Sequence, residues 1–187
     1  KVKDGKYKGQ KQKWILASLK EENEIKIRGI DKVKHFSYSD KGLKIVFSGF
    51  KNGRSDIFLY NLAANTYQNL TADLADDYHP IYIDNSEKIL FQSKRAVDSV
   101  EDTKEKHVPI QENRDVFIYD LNNMEDPLTR LTNTPLINEK QSFKKDKNLY
   151  YYLSNQSGIY NRYSASFDST ISHIDTITHY RYFMKTK

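Results

Sequence analysis

Three stretches of the chain are apolar at every position, not at alternate ones: Ile45-Val46-Phe47, Ile57-Phe58-Leu59-Tyr60 and Val116-Phe117-Ile118-Tyr119. A strand with one face in water alternates apolar and polar residues, so unbroken runs imply sheets covered on both faces. Turn residues bound each run: Asp40-Lys41-Gly42, Lys51-Asn52-Gly53 and Ala63-Ala64-Asn65. Glycine and asparagine there supply the left-handed backbone that tight reversals need. The pattern predicts four short antiparallel strands, over residues 36–39, 43–48, 56–62 and 66–70.

The same pattern then recurs. His35-Phe36-Ser37-Tyr38-Ser39-Asp40 through Lys44-Ile45-Val46-Phe47-Ser48 is answered 44 residues later by His79-Pro80-Ile81-Tyr82-Ile83-Asp84 through Lys88-Ile89-Leu90-Phe91-Gln92. Arg54-Ser55-Asp56-Ile57-Phe58-Leu59-Tyr60-Asn61-Leu62 is answered by Arg114-Asp115-Val116-Phe117-Ile118-Tyr119-Asp120-Leu121, and both units close on Leu-Thr, at Leu70-Thr71 and Leu131-Thr132. A repeat of about 40–45 residues holding four strands is the unit of a β-propeller. A degraded third unit follows: Leu149-Tyr150-Tyr151-Tyr152-Leu153, a turn at Asn155-Gln156-Ser157-Gly158, then Ile159-Tyr160-Asn161-Arg162-Tyr163.

The run Phe36-Ser37-Tyr38-Ser39-Asp40-Lys41-Gly42-Leu43-Lys44-Ile45-Val46-Phe47-Ser48 resembles the core of TolB-like, WD-type propeller repeats. The third strand and the closing Leu-Thr are similar to those of that family too. The likeness is good over residues 33–132 and weak over 139–165. Asn85-Ser86-Glu87 departs from it, standing where an Asp-Gly turn is usual, and Tyr38 and Tyr82 stand where Trp or Phe is common. The resemblance implies a bacterial propeller exported to the periplasm or cell envelope, where it serves as a docking platform for other proteins.

The expected fold is therefore all-β: four-stranded antiparallel blades forming an arc of a larger propeller. Residues 1–32 read as a basic stretch and the outer hairpin of a preceding blade, built from Trp14 to Leu19 and Ile25 to Ile27. Residues 33–75 form one blade and 76–134 a second, with a polar insertion over 96–113 read as a rim loop. Residues 135–187 form a degenerate blade and a C-terminal extension. That extension, over 167–183, is either the outer hairpin of the third blade or a connector. A start at Lys1 without methionine and an end without a cap read as a piece of a longer polypeptide.

Composition adds limits. Twenty-three of 187 residues are Tyr or Phe, which favours a sheet, although mean hydropathy is only −0.80. The net charge of +5 is spread among 30 basic and 25 acidic residues. The one dense basic stretch, Lys1 to Lys13, reads as a solvated terminus without a second basic surface, so no nucleic-acid partner is expected. No cysteine is present, which removes disulfides and thiolate metal sites. No apolar run approaches the roughly 18 residues of a membrane span.

Candidate chemistry is thin. His173, Asp175 and His179 would share one face of a single extended strand, but six residues of strand span roughly 20 Å, too far for one ion. Asp73, Asp76, Asp77 and His79 lack the spacing and glycine of a calcium loop and read as an acidic connection between blades. No Gly-x-Ser-x-Gly elbow or phosphate-binding glycine pattern occurs. No residue is assigned as catalytic, cofactor-binding or metal-ligating, and no cofactor is expected. His35 and His79 recur at one position of the repeat and either face a central channel or satisfy a neighbouring backbone carbonyl. The expected function is a non-catalytic protein-binding scaffold in the bacterial periplasm or envelope. The alternative is an accessory propeller of a larger peptidase or other envelope enzyme.

Overall fold

The computed structural model describes residues 25, 27–104, 110–174 and 176–187. They form three four-stranded antiparallel sheets. Sheet A comprises β1 (Lys32–Tyr38), β2 (Lys44–Lys51), β3 (Arg54–Asn61) and β4 (Thr66–Asn69). Sheet B comprises β5 (Asp77–Ile83), β6 (Lys88–Arg95), β7 (Ile110–Asp120) and β8 (Leu128–Arg130). Sheet C comprises β9 (Glu139–Asp146), β10 (Leu149–Ser154), β11 (Asn161–Ile174) and β12 (Thr178–Thr186). Within each sheet the strands are ordered as in the sequence, and no sheet is closed on itself into a barrel. Among the described residues no helix is long and apolar enough to cross a membrane.

The unbroken apolar runs are explained by which core each residue enters. Successive side chains of a strand point to opposite faces. Phe91 and Ile89 of β6, with Phe117 and Tyr119 of β7, join Val46, Ile57 and Leu70 of sheet A in one core. The residues between them, Leu90, Val116 and Ile118, join Tyr150, Tyr152 and Ala165 of sheet C in a second. A third core on the other side of sheet A packs Ile45, Phe47, Phe58 and Tyr60 under Ile27 and Ile30. Sheet B is thus buried on both faces, and a one-residue slip of β6 or β7 would exchange its two cores. Each large side chain so buried contributes about 1.5–3 kcal/mol.

The first strand of each later sheet makes the connection. β5 packs against β1, β2 and β3, and β9 packs against β5, β6 and β7. The β2–β3 reversal is a two-residue turn, Asn52-Gly53, with φ of 53° and 81°, the pair of positive angles that matches strand twist.

One expectation changes, one pair of alternatives is decided, and one reading is only partly described. The insertion does not run as loop to residue 113: β7 begins at Ile110, which pairs with Arg95, and Ser99 caps a helical turn α1 (Val100–Thr103) whose Val100 packs on the first core. The extension after residue 166 is the outer hairpin of sheet C, formed by the end of β11 and β12. The basic stretch Lys1 to Lys13 and the strand expected at Trp14 to Leu19 lie outside the described residues; Ile25 and Ile27 are described and are not in a strand.

Candidate functional site

The closing Leu-Thr of each unit has a mechanical role. In sheet A, Leu70 N–H donates to the Ile57 carbonyl at 2.8 Å, and Ile57 N–H donates back to Thr71 Oγ1 at 2.9 Å. Sheet B repeats this with Leu131, Val116 and Thr132, at 2.8 Å and 2.8 Å. A threonine hydroxyl therefore takes the place of a ladder carbonyl where the outermost strand ends, and the chain is free to leave for the next sheet.

Where it leaves sheet A, it enters a buried polar junction. Asp73 follows Thr71, Asp77 opens β5, and Asp56 sits on β3; oxygens of the three carboxyls lie within 4.8 Å of one another. Arg95, at the end of β6 and 0% exposed, reaches them: Nη2 stands 2.8 Å from Asp77 Oδ2 and 3.2 Å from Asp73 Oδ2, while Nε donates to Ser93 Oγ at 2.7 Å. The rings of Phe91 and Phe117 lie 5.6 Å from its guanidinium carbon. Asn69 Nδ2 donates to Asp56 Oδ2 at 2.7 Å. Asp76 stands apart and accepts Ser55 N–H at 3.0 Å.

One guanidinium cannot neutralise three buried acids. Burial pushes Asp73 up to about 7, with Arg95 opposing and Asp77 adding to the rise. Burial pushes Asp56 up to about 6 against the Asn69 hydrogen bond. Asp77 is raised by the same burial, again with Arg95 opposing. This set has the oxygens to hold a cation, but Arg95 already supplies the counter-charge between Asp73 and Asp77. The acidic loop read from the sequence is thus a buried ion-pair junction, with His79 no part of it.

The junction between sheets B and C is built from the equivalent positions, with Asp kept at one and the other two changed. Asp115 takes the place of Asp56, Thr134 that of Asp73 and Glu139 that of Asp77. Asp115 Oδ2 receives Arg130 Nη1 at 2.7 Å and Gln111 Nε2 at 2.8 Å. Thr134 Oγ1 stands 3.1 Å from Asp115 Oδ1 and 3.0 Å from Glu139 Oε1, and can donate to only one of them. Burial pushes Glu139 up to about 7, opposed by hydrogen bonds from Thr132 and Thr134.

His35 on β1 and His79 on β5 meet where these two first strands run side by side. Their ring centroids are 3.5 Å apart and the planes 31° from parallel. Each sits at a register irregularity, and His79 adopts φ 50°. Nδ1 of each ring is buried without a hydrogen-bond partner. Burial holds both below the usual histidine value; His79 falls to about 4, with His35, Arg114 and Lys34 adding to the effect. Arg114 lies over the Tyr78 ring at 4.1 Å. On the opposite face of β1, Phe36 and Tyr38, which pair with Phe47 and Ile45 of the third core, stand 61% and 54% exposed.

The distance assigned to His173 and His179 is overturned. The chain reverses between β11 and β12, so the two histidines are opposite partners in the ladder, with ring centroids 4.1 Å apart and planes 8° from parallel. Asp175 lies outside the described residues. Sequence reasoning also missed Arg95 and Glu139, whose charge argued for the surface. The available signal was the matching position of Asp56 and Asp115 one residue before each apolar run.

No sequence-family model matches the chain, and neither does any curated protein. Among solved structures, the crystal structure of TolB from Acinetobacter baumannii is similar, with a TM-score of 0.50 and 16% sequence identity. The match covers 72% of this chain and 29% of that one. At that identity the likeness is one of fold: this chain shares a related all-β architecture with under a third of the TolB chain.

Proposed function

We propose that the three sheets are consecutive blades of a β-propeller, over residues 33–75, 76–134 and 135–187, forming an arc of a larger ring. The chain then acts as a non-catalytic scaffold for protein partners in the bacterial periplasm or cell envelope. What carries this reading is the stack itself: three sheets of one strand order, each first strand packed on the preceding sheet, with aromatic side chains of β1 left in water.

The half-covered third sheet supports an arc. Along β10, Tyr150, Tyr152 and Ser154 are buried against sheet B, while Leu149, Tyr151 and Leu153 are only partly buried. Phe143, beside Tyr151 at 5.5 Å between ring centroids, is 43% exposed. On sheet B the counterparts of Tyr151 and Leu153, Leu90 and Gln92, are fully buried. A further sheet on this face completes the pattern that the Leu149–Leu153 run implies. The likeness to a TolB fold supports the envelope setting.

The rim at β1 is the favoured contact surface. There Phe36 and Tyr38, 61% and 54% exposed, suit a partner segment that presents apolar side chains. A photo-crosslinking residue placed at Tyr38 in the native host is expected to trap one defined envelope protein, and Phe36→Ser is expected to abolish that adduct. An adduct unaffected by Phe36→Ser, or peptide hydrolysis by the purified chain, would overturn the reading.

A further inference from the structure

Sheet C has an outer edge unlike those of its neighbours. β4 and β8 end sheets A and B after 4 and 3 residues, whereas β12 runs for 9 residues along the edge of sheet C without glycine or proline. A long edge strand offers its unpaired backbone groups to another strand. Ser164 and Lys187 exchange N–H···O bonds of 2.7 and 2.8 Å, and an antiparallel ladder alternates such bonded pairs with unbonded ones. Along the register that continues from them, Tyr180, Tyr182, Met184 and Thr186 therefore turn N–H and C=O outward. Their side chains share one face. Met184 packs on the second core there, while Tyr180 and Tyr182 are 53% and 74% exposed. An open groove lined by Leu128, Arg130, Phe167, Tyr182 and Met184 lies beside them.

We propose that this edge is a homodimer interface: β12 of a second copy adds antiparallel to β12 across a two-fold axis at Tyr182, making one continuous sheet of eight strands. In that register Tyr180 faces Met184 of the second copy on one side of the sheet, and Arg181 faces Phe183 on the other. The first is an apolar pair and the second places a cation by an aromatic ring. Charge selects this register. Sliding one strand by two residues, the smallest step that keeps outward groups paired, sets Arg181 opposite Arg181 in one direction and opposite Lys185 in the other. Like charges directly opposite destabilise a sheet. A two-fold interface must complement itself, and β12 does so in this one alignment, while Arg181 and Lys185 guard the edge against unrelated strands. The interface uses sheet C and does not rest on the scaffold reading, which places its contact surface at β1.

Sedimentation velocity of the full chain over a concentration series is expected to show a species of twice 22.0 kDa. Tyr182→Pro removes an N–H that points away from β11, a position where an edge strand accepts proline. The fold should be kept and dimer affinity should fall by roughly tenfold or more. Phe36→Ser should leave that affinity within about twofold. In a mixture of isotope-labelled and unlabelled parent chains, filtered nuclear Overhauser spectra should link Tyr182 to Tyr182, and Tyr180 to Met184, between copies. A chain that stays monomeric at millimolar concentration, a smaller loss in Tyr182→Pro, or contacts between copies that map to another surface would overturn the proposal. The filtered spectrum of the unsubstituted chain decides the matter if the variant fails to fold.

Discussion

Ser86 occupies the repeat position that Gly42 holds in the first unit, and both adopt left-handed backbone, with φ of 66° and 65°. Asp84 and Asn85 precede Ser86 with φ of 52° and 53°, so this turn carries three non-glycine residues in that region. A side chain there costs about 1–2 kcal/mol relative to glycine. Ser86 Oγ offsets part of that by accepting Asp40 N–H, in the equivalent turn of sheet A, at 2.8 Å. Chemical denaturation is expected to find Ser86→Ala less stable by about 1 kcal/mol, because the strain stays and the bond goes. Ser86→Gly, which loses both, should lie within about 0.5 kcal/mol of the parent. Equal losses for the two variants would refute this balance.

Titratable residues divide into two groups with opposite pH signs. Glu139, Asp73 and Asp56 have folded values raised to about 7, 7 and 6. Their contribution is intact below the ordinary carboxyl range and is lost as pH rises through those values. Glu139→Gln removes one such burden. It should stabilise the protein by about 2 kcal/mol at pH 8 and by little at pH 4. A pH-independent difference would rule out an ionising Glu139. His79 acts the other way: its folded value of about 4 lies below the usual 6.5, so its contribution is present above pH 6.5 and lost as pH falls through 4. His79→Asn, chosen because asparagine tolerates φ 50°, should flatten the acid limb of a stability–pH curve measured by thermal unfolding. An unchanged limb would show that the imidazole is charged in the fold.

At the scale of elements, the strands end on side-chain hydroxyls. Thr71→Val keeps the shape but leaves the buried Ile57 N–H without an acceptor, and Thr132→Val does the same to Val116. Each is expected to cost about 1–3 kcal/mol in equilibrium unfolding. A cost near zero would mean that water reaches the N–H and that Leu-Thr is only a turn. Strand positions were legible in the sequence because burial on both faces forces unbroken apolar runs, as at Ile57–Tyr60, and because Asn52-Gly53 and Gly158 mark reversals. What was not legible has a common physical cause. Arg95 and Glu139 are charged, and their burial depends on partners that only the folded chain brings beside them: Asp73 and Asp77, on another strand and its approach, for one, and Thr134, across the turn into β9, for the other. The β11–β12 reversal passes through Thr176 and Ile177 without glycine or proline, so a hairpin read as one strand, and the histidine separation came out several times too large.

For the molecule as a whole, the consequence is asymmetry between the two faces of sheet C. Tyr152→Ala cuts into the core shared with sheet B, and is expected to cost about 3–5 kcal/mol. Tyr151→Ala, on the partly open face, should cost about 1 kcal/mol or less. The comparison with TolB cannot supply that distinction, since it speaks to fold over a fraction of that chain. Nor does the fold by itself specify a partner; the contact surface proposed for one is Phe36 and Tyr38 on β1.

All of this depends on sheets that bury one another's faces. The most direct measurement is a nuclear Overhauser spectrum of the chain with labelled methyl groups and aromatic rings. Flank-to-flank packing predicts cross-peaks from Val46 and Ile57 of sheet A to Ile89 and Phe91 of sheet B, and from Leu90 and Ile118 of sheet B to Tyr150 and Tyr152 of sheet C. Cross-peaks confined within each sheet, with none between sheets, would contradict it.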